Sequence, residues 1–150
     1  MKKPVIILVA LIYIISIVIV GFIGIQARVF NPVVFVNDLN VNFDENLVKI
    51  DSPAEGVDYA YRIFANSEVT FTVTANVLPN DATNKRCVFE KRDESSSYTF
   101  ETQFNGEYTI ASFKCEAAPA DGVYSLRMKV KPTDGNKSLF KVFDIFVYNF

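Results

Sequence analysis

Glu68-Val69-Thr70-Phe71-Thr72-Val73-Thr74-Ala75-Asn76-Val77 alternates apolar and polar residues without a break. Val69, Phe71, Val73, Ala75 and Val77 fall on one side of an extended chain, and Glu68, Thr70, Thr72, Thr74 and Asn76 on the other. Successive strand side chains point to opposite faces, so this stretch predicts a strand half against a core and half in water, as in antiparallel sheets. Val123 to Lys131 repeats the pattern: Tyr124, Leu126, Met128 and Val130 alternate with Ser125, Arg127, Lys129 and Lys131. Shorter candidate strands are Val33–Val36 with Leu39–Phe43, Tyr59–Phe64, Cys87–Glu90, Tyr98–Thr102 and Glu107–Phe113. A last one runs from Leu139 to about Tyr148. Turn chemistry separates them, at Ser52-Pro53, Pro79-Asn80-Asp81, Asn105-Gly106, Asp121-Gly122 and Asp134-Gly135-Asn136. Many short strands with no helical period between them predict an all-β sandwich.

The N-terminus reads differently. After Lys2 and Lys3, residues 4–25 carry no charge and are dense in Ile, Val and Leu. As a helix this run is roughly 33 Å long, about the thickness of a bilayer's hydrocarbon core. β-Branched residues form helices poorly in water, but in lipid every backbone amide must bond internally, so the helix forms. Lys2 and Lys3 precede the run and only Arg28 follows it closely, which places the N-terminus in the cytoplasm and the rest outside. The run is long for a signal peptide, and Ile25-Gln26-Ala27 has a bulky residue where cleavage favours a small one. The expectation is an uncleaved membrane anchor over residues 1–28 and a β-sandwich domain over residues 29–150. Secretion after signal cleavage is the alternative.

Charge and composition narrow the chemistry. The 150 residues contain no His and no Trp. A Ser-His-Asp or Cys-His nucleophile system cannot be assembled, nor a His-containing zinc site. Setting aside Lys2, Lys3 and Arg28 leaves 12 of the 15 basic residues against all 17 acidic ones, a net charge of −5 beyond Arg28. Nucleic acid and anionic lipid bind through clustered Lys and Arg, so neither is an expected partner of that part. Asp44-Glu45 and Asp93-Glu94 are adjacent carboxylates, which on strands point to opposite faces and cannot cooperate as an acid/base pair. Loop acids such as Asp81, Asp121 and Asp134 lack the spacing of a calcium loop. No enzyme, cofactor or metal site is expected.

Thr74-Ala75-Asn76-Val77-Leu78-Pro79-Asn80-Asp81-Ala82-Thr83-Asn84-Lys85 closely resembles the bacterial Ig-like domain of group 2, the module of invasin- and intimin-like surface proteins. In that family a strand ends in a Pro-x-x-Ala-Thr-Asn-Lys turn. Pro79 fixes φ and cannot donate to a ladder, Asp81 can close an Asx turn, and Ala82 can plug the end of the sandwich. Asn105-Gly106-Glu107-Tyr108, Gly122-Val123-Tyr124-Ser125-Leu126 and Asp134-Gly135 are similar to later turns and strands of the family. Phe89 stands where the family carries Trp, and residues 44–64 and 112–121 look like insertions. The resemblance implies an Ig-like antiparallel β-sandwich of about 7–9 strands without catalytic activity.

Cys87 and Cys115 outside the membrane read most simply as one disulfide, with a reactive or metal-binding role as the alternative. Their spacing is too short for the bridge between second and sixth strands of antibody-type domains. Leu126 and Val73 are expected to fill that core position instead. Tyr124 is expected either as a tyrosine corner, its hydroxyl bonded to upstream backbone, or as an ordinary half-buried strand residue. In the last strand both sides are apolar: Leu139, Phe143, Ile145 and Val147 on one, Phe140, Val142, Phe146, Tyr148 and Phe150 on the other. Either the strand's ends tuck under loops such as 44–64, or Phe140, Phe146, Tyr148 and Phe150 form an exposed stripe that contacts a partner. The resulting expectation is a non-catalytic module held close to the bilayer through residues 4–25. It binds or scaffolds a protein partner at the bacterial envelope, as an accessory subunit of a secretion or division complex or as a stand-alone module.

Overall fold

A computed structural model describes residues 3–30, 32–120 and 122–149. The chain divides into two compact units, Met1–Val33 and Val34–Phe150. The first is built on one helix, α1 (Lys3–Phe30), longer at its C-terminal end than the uncharged run that predicts it. Its Lys3–Ile23 portion is long and apolar enough to cross a membrane, with its side chains exposed throughout. A signal sequence meets the same condition.

The second unit holds nine strands among the described residues: β1 (Asp38–Phe43), β2 (Val48–Ile50), β3 (Tyr59–Phe64), β4 (Val69–Leu78), β5 (Cys87–Lys91), β6 (Tyr98–Phe104), β7 (Thr109–Cys115), β8 (Val123–Pro132) and β9 (Lys141–Tyr148). They form a four-stranded sheet ordered β1-β4-β7-β6 and a five-stranded sheet ordered β2-β3-β9-β8-β5. With the β2–β3 hairpin set aside, these are the ABED and GFC sheets of an Ig domain. The fold is therefore an Ig-like β-sandwich preceded by one apolar helix. All strand pairs are antiparallel except β3 with β9, which run parallel.

The alternation in β4 is used as predicted. Phe71, Val73, Ala75 and Val77 are buried while Thr70 and Thr72 face water. Val73 and Leu126, on β4 and β8, are both 0% exposed, at the core position that a disulfide fills in antibody-type domains. Phe89 on β5 is buried where such domains place a Trp. Aromatic rings join the two sheets. Phe113 stacks on Phe71 at 5.1 Å and meets Phe143 of the opposite sheet edge-on at 6.3 Å, while Phe43 meets Phe143 at 5.2 Å. Burying each such ring contributes about 1.5–3 kcal/mol, so Phe113 and Phe143 are major contributors to the core.

Several local expectations resolve at the turns. Ala82 is buried, its N–H donating to the Pro79 carbonyl at 3.0 Å, as a plug at the end of the sandwich requires. The Asx turn of this segment is made by Asn84, whose side-chain oxygen accepts from the Arg86 N–H at 3.2 Å, and not by Asp81. Asn105 closes its turn by accepting from the N–H groups of Glu107 and Tyr108, with Gly106 at φ 101°. Val33–Val36 is not a strand. Val34 is instead fastened to Thr83, whose hydroxyl accepts the Val34 N–H at 2.8 Å and whose own N–H donates back to the Val34 carbonyl at 2.9 Å. The 44–64 segment is more than an insertion, because it crosses between sheets and supplies β2 and β3.

Candidate functional site: the outer face of the five-stranded sheet

β3 decides the surroundings of the last strand. By covering one edge of β9 it makes β9 central, so β9 has neighbours on both sides in its own sheet. Phe143, Ile145 and Val147 point into the core, each 0% exposed. The opposite side is organised in rows across β3, β9 and β8: Ala60, Asp144 and Arg127; then Arg62, Phe146 and Ser125; then Phe64, Tyr148 and Val123.

The first row is ionic. The Arg127 guanidinium donates to both Asp144 carboxylate oxygens, each at 2.7 Å. Asp144 is buried while the Arg127 side chain is about half exposed. The Asp144 hydrogen bond and charge push the Arg127 guanidinium still further above its ordinary range. The third row is apolar and accessible: Phe64 is 41% and Val123 49% exposed, and Tyr148 is half-buried. The Phe64 and Tyr148 rings lie 5.9 Å apart, and the Arg62 guanidinium sits 5.9 Å above Phe64. Phe146 of the middle row is half-buried.

The four residues expected as one stripe are thus distributed. Phe146 and Tyr148 share the outer face. Phe140 precedes β9, where the Lys129 ammonium lies 4.0 Å from its ring centroid. Phe150 lies outside the described residues. Phe64 and Val123, not anticipated from sequence, complete the accessible row. Their only sequence signal is an apolar residue at the outward parity of its strand.

The cysteine expectation is corrected. Cys87 and Cys115 are unbonded thiols, both buried. The Cys87 N–H donates to the Thr109 hydroxyl at 2.9 Å, which places Cys87 beside the first residue of β7. Cys115 is the last residue of β7, so at roughly 3.3 Å per residue the two lie on the order of 15 Å or more apart. A disulfide needs Cα atoms within about 7 Å. Burial pushes both thiols up to about 11.

The aspartates of the two adjacent carboxylate pairs hold loops. Asp44 and Asp93 lie outside strands, just past the ends of β1 and β5. Asp44 accepts from the Asn46 N–H and from Thr72. Asp93 accepts from the Tyr98 hydroxyl at 2.7 Å, the Arg127 N–H at 2.7 Å and the Ser95 N–H at 2.9 Å, clamping the β5–β6 loop to β8. Burial, reinforced by the Asp93 bond, raises the Tyr98 phenol well above its ordinary pKa. Tyr124 is a tyrosine corner: its hydroxyl donates to the Glu116 carbonyl at 2.7 Å, upstream in the β7–β8 loop. On the four-stranded sheet a recess of about 450 Å³ is lined by Thr70, Thr72, Ser112, Glu101, Lys114 and Asp44 among others. Among the described residues no group of three or more His, Cys, Asp or Glu gathers as a metal site.

The strand order defines the class as an Ig-type sandwich. No protein-family model matches the chain, and no curated protein matches it. Solved structures with similar folds include Dpr2 Ig1-Ig2 in complex with DIP-Theta Ig1-Ig3, at TM-score 0.45 and 12% identity, over 77% of this chain and 33% of that one. Another is the GspB Siglec domain, at TM-score 0.44 and 14% identity, over 76% of this chain and 59% of that one. The chain thus spans a third of the first structure's length and under two thirds of the second's.

Proposed function

We propose that the chain is a non-catalytic, membrane-anchored binding module of the bacterial group 2 Ig-like type. Residues 1–28 anchor it, with the N-terminus in the cytoplasm, and residues 29–150 act outside as a single domain at the cell envelope. The observation that carries the binding role is the accessible apolar row Phe64, Tyr148 and Val123 beside Phe146. An apolar row exposed on a folded domain supports a contact surface. Its setting fits a protein partner: aromatic side chains beside an arginine, the composition enriched where interfaces are tightest.

Crosslinking of the full chain in intact cells, followed by capture, tests the role. Phe64→Ser with Val123→Ser is expected to abolish the captured adduct while the thermal midpoint stays close to that of the parent. An undiminished adduct refutes this face as the binding site. The mass of the mature chain tests the anchor separately. A product beginning near Arg28 would make this a secreted stand-alone module.

A further inference from the structure

We infer that the native sandwich and a Cys87–Cys115 disulfide exclude one another, so that the two thiols form a redox-sensitive lock on the unfolded chain. In the unfolded state they close a loop of roughly 30 residues, a length at which chain ends meet on a submicrosecond to microsecond scale. In the folded state they are fixed apart. Cys87 is paired with Pro132 in the five-stranded sheet, and Cys115 with Val69 and Tyr98 in the other sheet, at the far end of β7 from Cys87's hydrogen-bond partner Thr109. Bringing the two sulfurs into bonding distance means stripping β5 from β8 or dismantling β7, and β7 is the central partner of β4 and β6.

The two states differ equally in reactivity. In the fold the thiols are 4% and 0% exposed, and burial keeps them protonated. The nucleophile in disulfide exchange is the thiolate, so the folded chain resists oxidation. Unfolding exposes both and returns them to ordinary acidity. Two protein thiols and one molecule of oxidised glutathione then give the protein disulfide and two molecules of reduced glutathione. The first exchange releases one glutathione thiol, and attack by the second cysteine on the mixed disulfide releases the other. The lock favours a chain that folds before it is oxidised and traps one that does not.

The test uses the full chain in detergent micelles, wild type and Cys87→Ala/Cys115→Ala. The folded wild type, incubated with oxidised glutathione, is expected to keep its mass and both thiols. The same chain oxidised in guanidinium should become lighter by two hydrogens, with the bond mapped to Cys87 and Cys115. After dilution it should lack the near-ultraviolet dichroism of packed aromatic rings and regain it when reductant is added. The double variant should refold equally with and without oxidant. Recovery of the wild type by reductant decides the matter even where the double variant folds poorly by itself. A chain that carries the mapped disulfide and shows the native near-ultraviolet spectrum overturns the inference. So does wild type that stays unfolded after the disulfide is reduced.

Discussion

Tyr124→Phe tests whether the tyrosine corner holds this sandwich together. The substitution keeps the ring, which packs against the core, and removes only the hydroxyl. That hydroxyl donates to the Glu116 carbonyl at 2.7 Å and lies 3.4 Å from the Ser97 carbonyl. Glu116 and Ser97 are themselves joined, the Glu116 N–H donating to the Ser97 carbonyl at 2.9 Å, so the phenol staples the β5–β6 loop to the β7–β8 loop. Glu116 is exposed and its carbonyl can recover a water, whereas Ser97 is half-buried. The loss should therefore be that of one good hydrogen bond without a large desolvation penalty, about 1–1.5 kcal/mol. For a domain of this size that lowers the thermal midpoint by about 3–6 °C. Burial raises the Tyr124 phenol well above its ordinary pKa, so it stays a donor and the effect should be flat across neutral pH. Circular dichroism melts of the full chain in detergent read the midpoint. Amide exchange should show faster opening of residues 92–97 and 116–120 in the variant. A midpoint unchanged within about 1 °C, with unchanged exchange in both loops, would show Tyr124 to be an ordinary strand residue.

Arg127→Ala leaves the buried Asp144 carboxylate without its bidentate partner; because the Arg127 side chain is about half exposed, water replaces part of that bond, and the domain should lose about 1–3 kcal/mol. Arg127→Met with Asp144→Leu should recover most of that loss, because removing both charges also removes their desolvation cost; guanidinium midpoints read both variants. Alkaline pH should weaken the fold through the thiols. Their folded pKa values of about 11 lie above the ordinary value near 9, so the stability they contribute is complete below the unfolded pKa and is lost as pH rises through that window. Melts between neutral and alkaline pH should show this fall in the parent and a smaller one in Cys87→Ala/Cys115→Ala.

Strand pattern and turn chemistry were local and therefore legible. The alternation from Val69 to Val77 dictated which side chains of β4 enter the core, because the side-chain period of a strand is two whatever it pairs with. The apolar run dictated α1, and Gly122-x-Tyr124-x-Leu126 marked the corner. Pairing partners were not local. Nothing in Tyr59–Phe64 or Lys141–Tyr148 specifies that they run side by side in parallel. Only that pairing makes β9 central and brings Phe64 beside Tyr148, while the β8–β9 pairing brings Val123 to its other side. The cysteines show the same limit more sharply. Their spacing permits a bridge in a flexible unfolded chain, but in the fold Cys87 lies on β5 beside the first residue of β7 and Cys115 is the last residue of β7. Contacts between distant segments depend on which sheet each strand joins, and that choice is made by the packing of the whole core rather than by any one segment.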